Sequence, residues 1–242
     1  MRPIANLIAA EFCETAHNIH PQELFDAVLE HFFYMMACRA HGADDLWQQI
    51  EKPSTLPHDR FKPNGVSHDK FRHLVLRIIE ALKTNFDDVL GDIAACIDVL
   101  YNTPDVCVMA KQVIQLQYPS DAIAAAIEDK GFFVFGCDVE GTGGIPMDLA
   151  GAFVENGIDY HHHLFVQTNQ VDIRLFRMSY VQLHAREVPA YVALVDEKDG
   201  TERAGFNTSA YFDQFQPYQA KLEKARRNTA KRSRNRALSG HI

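Results

Sequence analysis

Gly131-Phe132-Phe133-Val134-Phe135-Gly136-Cys137, then Gly141-Thr142-Gly143-Gly144, then Met147-Asp148-Leu149-Ala150-Gly151-Ala152-Phe153-Val154-Glu155 form the stretch on which the fold turns. The first run is apolar, has strand length and ends at glycines, whereas the last has apolar residues at helical spacing. Strand, glycine loop and helix are therefore expected in that order. Toward the C-terminus, His163-Leu164-Phe165-Val166 follows the Asn156-Gly157 turn as a second strand, and Ala190 to Val195 follows a helix-like segment, Asp172 to His184, as a third. Strands alternating with helices predict parallel βαβ units, in which ligands bind at the carboxyl ends of the strands.

Glycines after a first strand let the backbone approach a ligand, and an acid closing the second strand holds a ribose hydroxyl. Gly141 and Gly143 are present, but the second strand closes as Gln167-Thr168-Asn169-Gln170-Val171-Asp172, with an amide at Gln170 and its first carboxylate at Asp172. The loop alone does not identify a nucleotide-like ligand.

Upstream the pattern is helical. Pro21-Gln22-Glu23 reads as a helix start, and Leu24, Phe25, Val28, Leu29, Phe32, Phe33 and Met36 form a wide apolar stripe of core character. Lys52 to Val66 holds three prolines and a Pro-Asn-Gly step, a loop between helices. Ser67 is placed to cap a helix from Phe71 to Lys83, a further helix runs through Ile97, and Thr103 is placed to cap one that begins at Pro104. Ser120 to Asp129 reads as an alanine-rich connector.

The 242 residues suit one medium α/β domain with a helical extension, or two small domains. A composition of 47% hydrophobic and 23% charged residues is that of a globular chain. No apolar run reaches the ~18 residues that a membrane span needs. Glu11 and Glu14, directly after the N-terminal apolar patch, argue for a helix and against a signal peptide. Five widely spaced cysteines fit free thiols in a reducing cytoplasm. The 12 histidines include His161-His162-His163, expected to begin a strand, and none has the spacing of a closed metal site. The net charge of −8 hides an asymmetry: Lys221, Lys224, Arg226, Arg227, Lys231, Arg232, Arg234 and Arg236 against Glu223 alone give this stretch +7, leaving −15 on the rest. Such a tail binds nucleic acid through counterion release, or is a solvated helix; both readings stand.

An ordered set of segments carries a resemblance. Asp88-Val89-Leu90-Gly91-Asp92-Ile93, Tyr101-Asn102-Thr103-Pro104, Gly131 to Val134, Gly141 to Gly144, Glu155-Asn156-Gly157-Ile158-Asp159-Tyr160 and Tyr180-Val181-Gln182-Leu183 together resemble the N-6 adenine DNA methyltransferases. They are most similar to short phage and plasmid members related to the modification subunit of type I restriction systems, over residues 70 to 200. The resemblance implies a sheet that binds S-adenosylmethionine with a flipped adenine beside it. It places Thr103 and Pro104 against the cofactor, with Asn102 where the family has phenylalanine. Asp138, Gly141 and Gly143 fall in the cofactor loop, whose leading Asp-Pro is here Cys137-Asp138. Gln170 falls where the ribose acid belongs, and Asp172 matches a second acidic position. The family's catalytic motif, Asp or Asn followed by Pro-Pro and an aromatic, is missing, since no Pro-Pro occurs in the chain.

The resemblance therefore implies an α/β chain with a helical N-terminal region over 1–115, a partial Rossmann-like methyltransferase domain with a mostly parallel sheet over 116–215, and a basic tail over 216–242. The function expected is that of a methyltransferase-like protein without catalysis, which mimics or regulates a host restriction or defence complex, such as a modification subunit. Two alternatives are an S-adenosylmethionine-dependent adenine methyltransferase completed by a partner chain, and a DNA-binding accessory protein that uses the basic tail.

Overall fold

The computed structural model describes residues 2–84, 86–101, 120–138 and 141–239, so Thr103 and Pro104 lie outside the described residues. Six helices come first: α1 (Arg2–Thr15), α2 (Pro21–His41), α3 (Ala43–Gln49), α4 (Pro57–Arg60), α5 (His68–Leu82) and α6 (Val89–Tyr101). Their starts follow the local chemistry. Pro21 opens α2 with its preset φ, behind a His20 ring that accepts from the Gln22 N–H. Ser67 caps α5 by accepting from the Lys70 N–H at 3.3 Å. Phe71, Leu74, Val75, Ile78 and Leu82 give α5 one buried face.

The second half holds α7 (Ser120–Lys130), β1 (Phe133–Asp138), α8 (Gly144–Glu155), α9 (Tyr160–His163), β2 (Leu164–Gln170), α10 (Ile173–Ala185), β3 (Ala190–Val195) and β4 (Glu202–Asn207). A π-helical turn, Tyr211–Phe215, then leads into α11 (Gln216–Ser239). The four strands lie side by side in the order β1-β2-β3-β4. The first three are parallel, with Phe133 opposite Leu164 and Val166 opposite Ala190, and β4 returns antiparallel to β3. The chain is thus α/β with a mostly parallel sheet.

One face of the sheet is core. Along β2, Leu164, Val166, Thr168 and Gln170 are buried, while Gln167 on the opposite face is exposed. Val134 on that outer face of β1 is 43% exposed, and Phe165 packs against the Tyr211 and Phe215 rings. On the core side α10 lies next to the sheet, and the N-terminal helices form a further layer over α10. Phe33 of α2 sits 5.2 Å from the rings of Phe176 and Tyr180 on α10 and 5.7 Å from Phe206 on β4. Ion pairs Asp26–Arg174 and Glu30–Arg177 tie α2 to α10, and Arg60 and Tyr34 complete the bonding of the buried Glu30. One contiguous set of buried side chains runs from Ala5 to Phe206, across the expected boundary near residue 115.

Two local expectations are corrected: the alanine-rich connector is the helix α7, and His161–His163 form a helical turn held by the Asp159 side chain on the His161 N–H. In addition, Glu202–Asn207 makes a strand that its sequence did not suggest.

Candidate functional site

The glycine loop is bonded on three sides by the protein's own side chains. Gly143 holds φ +93 and ends the loop at the start of α8, and Gly141 holds φ +79, both in the region that favours glycine. Ser179, on the face of α10 that meets the loop, donates its hydroxyl to the Gly141 carbonyl at 3.1 Å. A Cβ on Gly143 would lie 3.0 Å from the Ser179 backbone, so glycine here admits a helix. Gln182, one turn along α10, donates to the Thr142 carbonyl at 2.8 Å and to Asp88 at 2.9 Å, and accepts from the Leu90 N–H at 3.1 Å.

Asp88 is the hub of this arrangement. It reaches the loop from the segment just before α6, accepting from the Thr142 hydroxyl, from Gln182 and from the Gly91 N–H at 3.1 Å. Burial pushes its carboxyl above the ordinary range, opposed by the bonds from Thr142 and Gln182. A Cβ on Gly144 would meet the Asp88 side chain at 3.0 Å, a second place where glycine permits close packing. The neighbouring Asp148 is also raised, by burial and then by the charges of Asp87 and Asp88. The loop's surroundings are thus acidic, the wrong sign for a phosphate.

The cofactor residues expected from the sequence fall as follows. Gln170 is fully buried, donating its amide to Thr168 at 3.0 Å and to Ser179 at 3.2 Å, with Oε1 lacking a partner among the described residues. Asp172 caps α10, one carboxylate oxygen accepting from the Arg174 N–H at 2.8 Å and the Leu175 N–H at 3.0 Å. Asp138 closes β1. The ligand crevice of an open α/β sheet forms where strand order reverses. Among the described strands the order runs one way from β1 to β4, with the glycine loop at the β1 edge. No chemical step is derived through S-adenosylmethionine. Among the described residues no group of His, Cys, Asp and Glu is arranged to hold a metal.

Over Gln216–Ser239 the basic tail is the helix α11. α11 docks by Leu222, which fills the space beside Gly131, by Gln219 donating to the His162 carbonyl at 3.0 Å, and by Tyr218 stacked on His162 at 4.2 Å. Arg226 donates to the Asp129 carbonyl at 2.7 Å, at the C-terminal end of α7, where a cation suits the helix dipole. Arg226 is therefore partly engaged within the fold. Lys221, Lys224 and Arg227 are exposed, Arg227 pairing with Glu223 at 3.2 Å, and the helical backbone carries Lys231, Arg232, Arg234 and Arg236 further on.

Sequence reasoning missed Asp88, Thr142, Ser179 and Gln182 as a set. A signal existed in α10: Ser179 and Gln182 interrupt, three residues apart, a run of apolar side chains that are buried with them. Polar groups buried on such a face need partners, and the loop carbonyls and Asp88 supply them. Among the described residues no helix is long and apolar enough to cross a membrane. Comparisons with protein-family models, with curated proteins and with solved structures find no match to this chain.

Proposed function

We propose that this chain is a methyltransferase-like protein that acts by binding and does not transfer methyl groups, its partner being a restriction or defence complex or a modification subunit. The observation that carries the reading is the loop itself: Ser179 and Gln182 bond the Gly141 and Thr142 carbonyls, and Asp88 bonds the Thr142 hydroxyl. Glycines that would cradle a cofactor here make room for Ser179 and Asp88. A body carrying −15 outside the basic stretch suits a partner whose surface is built for DNA.

Titration calorimetry with S-adenosylmethionine and S-adenosylhomocysteine tests the first part. No heat is expected from either ligand, and none after Ser179→Ala, which opens the loop without adding bulk. Micromolar binding by the native chain, with methyl transfer to DNA adenine, overturns it. Gly143→Val is a poor control, because its side chain strikes the Ser179 backbone whether or not a ligand binds.

A second reading, nucleic-acid binding, is favoured by one observation: α11 is anchored through its first turns, with Lys221 and Lys224 left exposed and unpaired among the described residues.

A further inference from the structure

We propose that residues 56–66, which carry α4 and the turn after it, form a strap that lifts off α2 and α5 when a cluster of three histidines takes up protons. The device is independent of the function proposed above. Little within the strap holds its shape: α4 has four residues, and the 3-10 turn that follows, Lys62–Asn64, ends at Gly65 with φ +86. Pieces this short are not stable alone, so the strap is shaped by what it touches. Pro57, Phe61 and Val66 are buried, and Arg60 donates to the buried Glu30 of α2 at 2.8 Å.

His58 of α4 stands between two other histidine rings. His31 of α2 lies 5.7 Å from it and His68, the first residue of α5, 5.6 Å, both edge to face. Phe71 of α5 completes the group, 5.5 Å from His31 and 6.3 Å from His58. Asp59 approaches His58 Nε2 at 3.3 Å and is already paired with Lys62, while Glu30 is held by Arg60 and Arg177. Both of these acids are thus matched by cations; Asp69 and Arg72 of α5 are exposed and in no ion pair among the described residues. Protonation therefore adds positive charge to rings in contact, which repel. It also adds a donor: His58 Nδ1 is buried without a partner among the described residues, so a doubly protonated ring leaves one N–H with no acceptor.

His31 is half-buried, and burial first, then the charges of His58 and His68, push its pKa below the ordinary 6.5. A ring kept neutral by the closed strap supports closure fully above pH 6.5, and that support is lost as pH falls below it, because the lifted strap takes the proton more readily. Mild acid is thus the opening signal. Opening parts Arg60 from Glu30 and uncovers Phe61, Val66 and one side of Phe71, an apolar surface that is hidden at neutral pH.

The test is amide exchange of the full chain at about pH 7.5 and about pH 5.5, one unit either side of the histidine value, corrected for the intrinsic pH dependence of exchange. The amides of Asp59, Arg60, Asn64, Gly65 and Val66 bond to carbonyls within the strap and report its opening. Their protection should fall roughly tenfold between the two conditions for each extra proton that the open strap holds. The ratio between the conditions is the readout. His68→Gln, at an exposed position, should lower it, and His31→Gln with His68→Gln should bring it close to one. Arg60→Gln, which loosens the strap without touching a ring, should lower protection in both conditions and keep the ratio. His184→Gln, which acts on global unfolding, should alter the pH response of β3 and leave that of the strap. A ratio under about twofold in the native chain, a fall that the double glutamine variant retains, or a strap that follows β3 in the His184→Gln chain would each overturn the proposal.

Discussion

Asp88 and His184 are both partly withdrawn from solvent, and desolvation moves their proton affinities in ways that oppose each other in stability. His184 is lowered from 6.5 to about 4, by burial first and then by Arg39 and His41. The fold therefore holds a neutral ring, and its contribution is complete above pH 6.5 and is lost as pH falls from 6.5 toward about 4. The slope is that of one proton, ~1.4 kcal/mol per pH unit. Asp88 is raised from 3.8, so its ionisation disfavours the fold, and the associated stability is complete below pH 3.8 and declines as pH rises through its raised value. Urea denaturation across this range checks both signs. His184→Gln should flatten the loss of stability between pH 6.5 and 4. Asp88→Asn should cost most at the acid end and progressively less as pH rises. A His184→Gln slope equal to that of the native chain would show that folding leaves the ring's proton affinity unchanged.

At the same scale, the sequence disclosed the loop but not what the loop touches. Gly141 and Gly143 are conspicuous because clustered glycines punctuate a chain at a turn, whereas Asp88 lies 54 positions from Thr142 and meets it only in the folded chain. Gln170 was placed correctly at the end of β2, yet strand alternation with Thr168 already put it on the inner face.

Among elements, α11 shows how an apparent tail becomes part of the body. A Cβ on Gly131 would lie 2.8 Å from Leu222 Cδ1, so the glycine before β1 and the leucine of α11 are a matched pair. Leu222→Asp should release the first turns of α11, raising amide exchange over 216–228 and at Gly131, with a small effect on the midpoint of global unfolding. Unchanged exchange in that segment would mean that Gln219 and Arg226 hold the helix by themselves. Legibility also varied by element. The third strand matched Ala190–Val195 in full, because an unbroken apolar run between two turns admits little else. The helix α7 was read as a connector because Ala124-Ala125-Ala126 shows no clear period. The strand β4 was missed because Glu202-Arg203-Ala204-Gly205-Phe206-Asn207 has no β-branched residue; it is fixed by its register with β3 instead.

At the scale of the whole molecule, helices and sheet share one core, so α2 and α10 are expected to unfold together, and the basic helix rides on a rigid acidic body. If α11 meets nucleic acid, binding should weaken linearly in log salt, with a slope of about −0.9 per phosphate neutralised. Charge reversal at Lys221 and Lys224 should lower that slope by up to about two units. Truncation after Asn228 removes Lys231, Arg232, Arg234 and Arg236 while sparing Leu222 and Arg226, and should lower it by up to about four. An unchanged slope would assign binding to another surface. With +7 gathered on one helix and −15 on the remainder, the molecule is a large permanent electric dipole. It will turn in the field of a charged partner before touching it, helix first toward a polyanion and body first toward a basic surface, so the sign of the partner's field alone selects which end arrives.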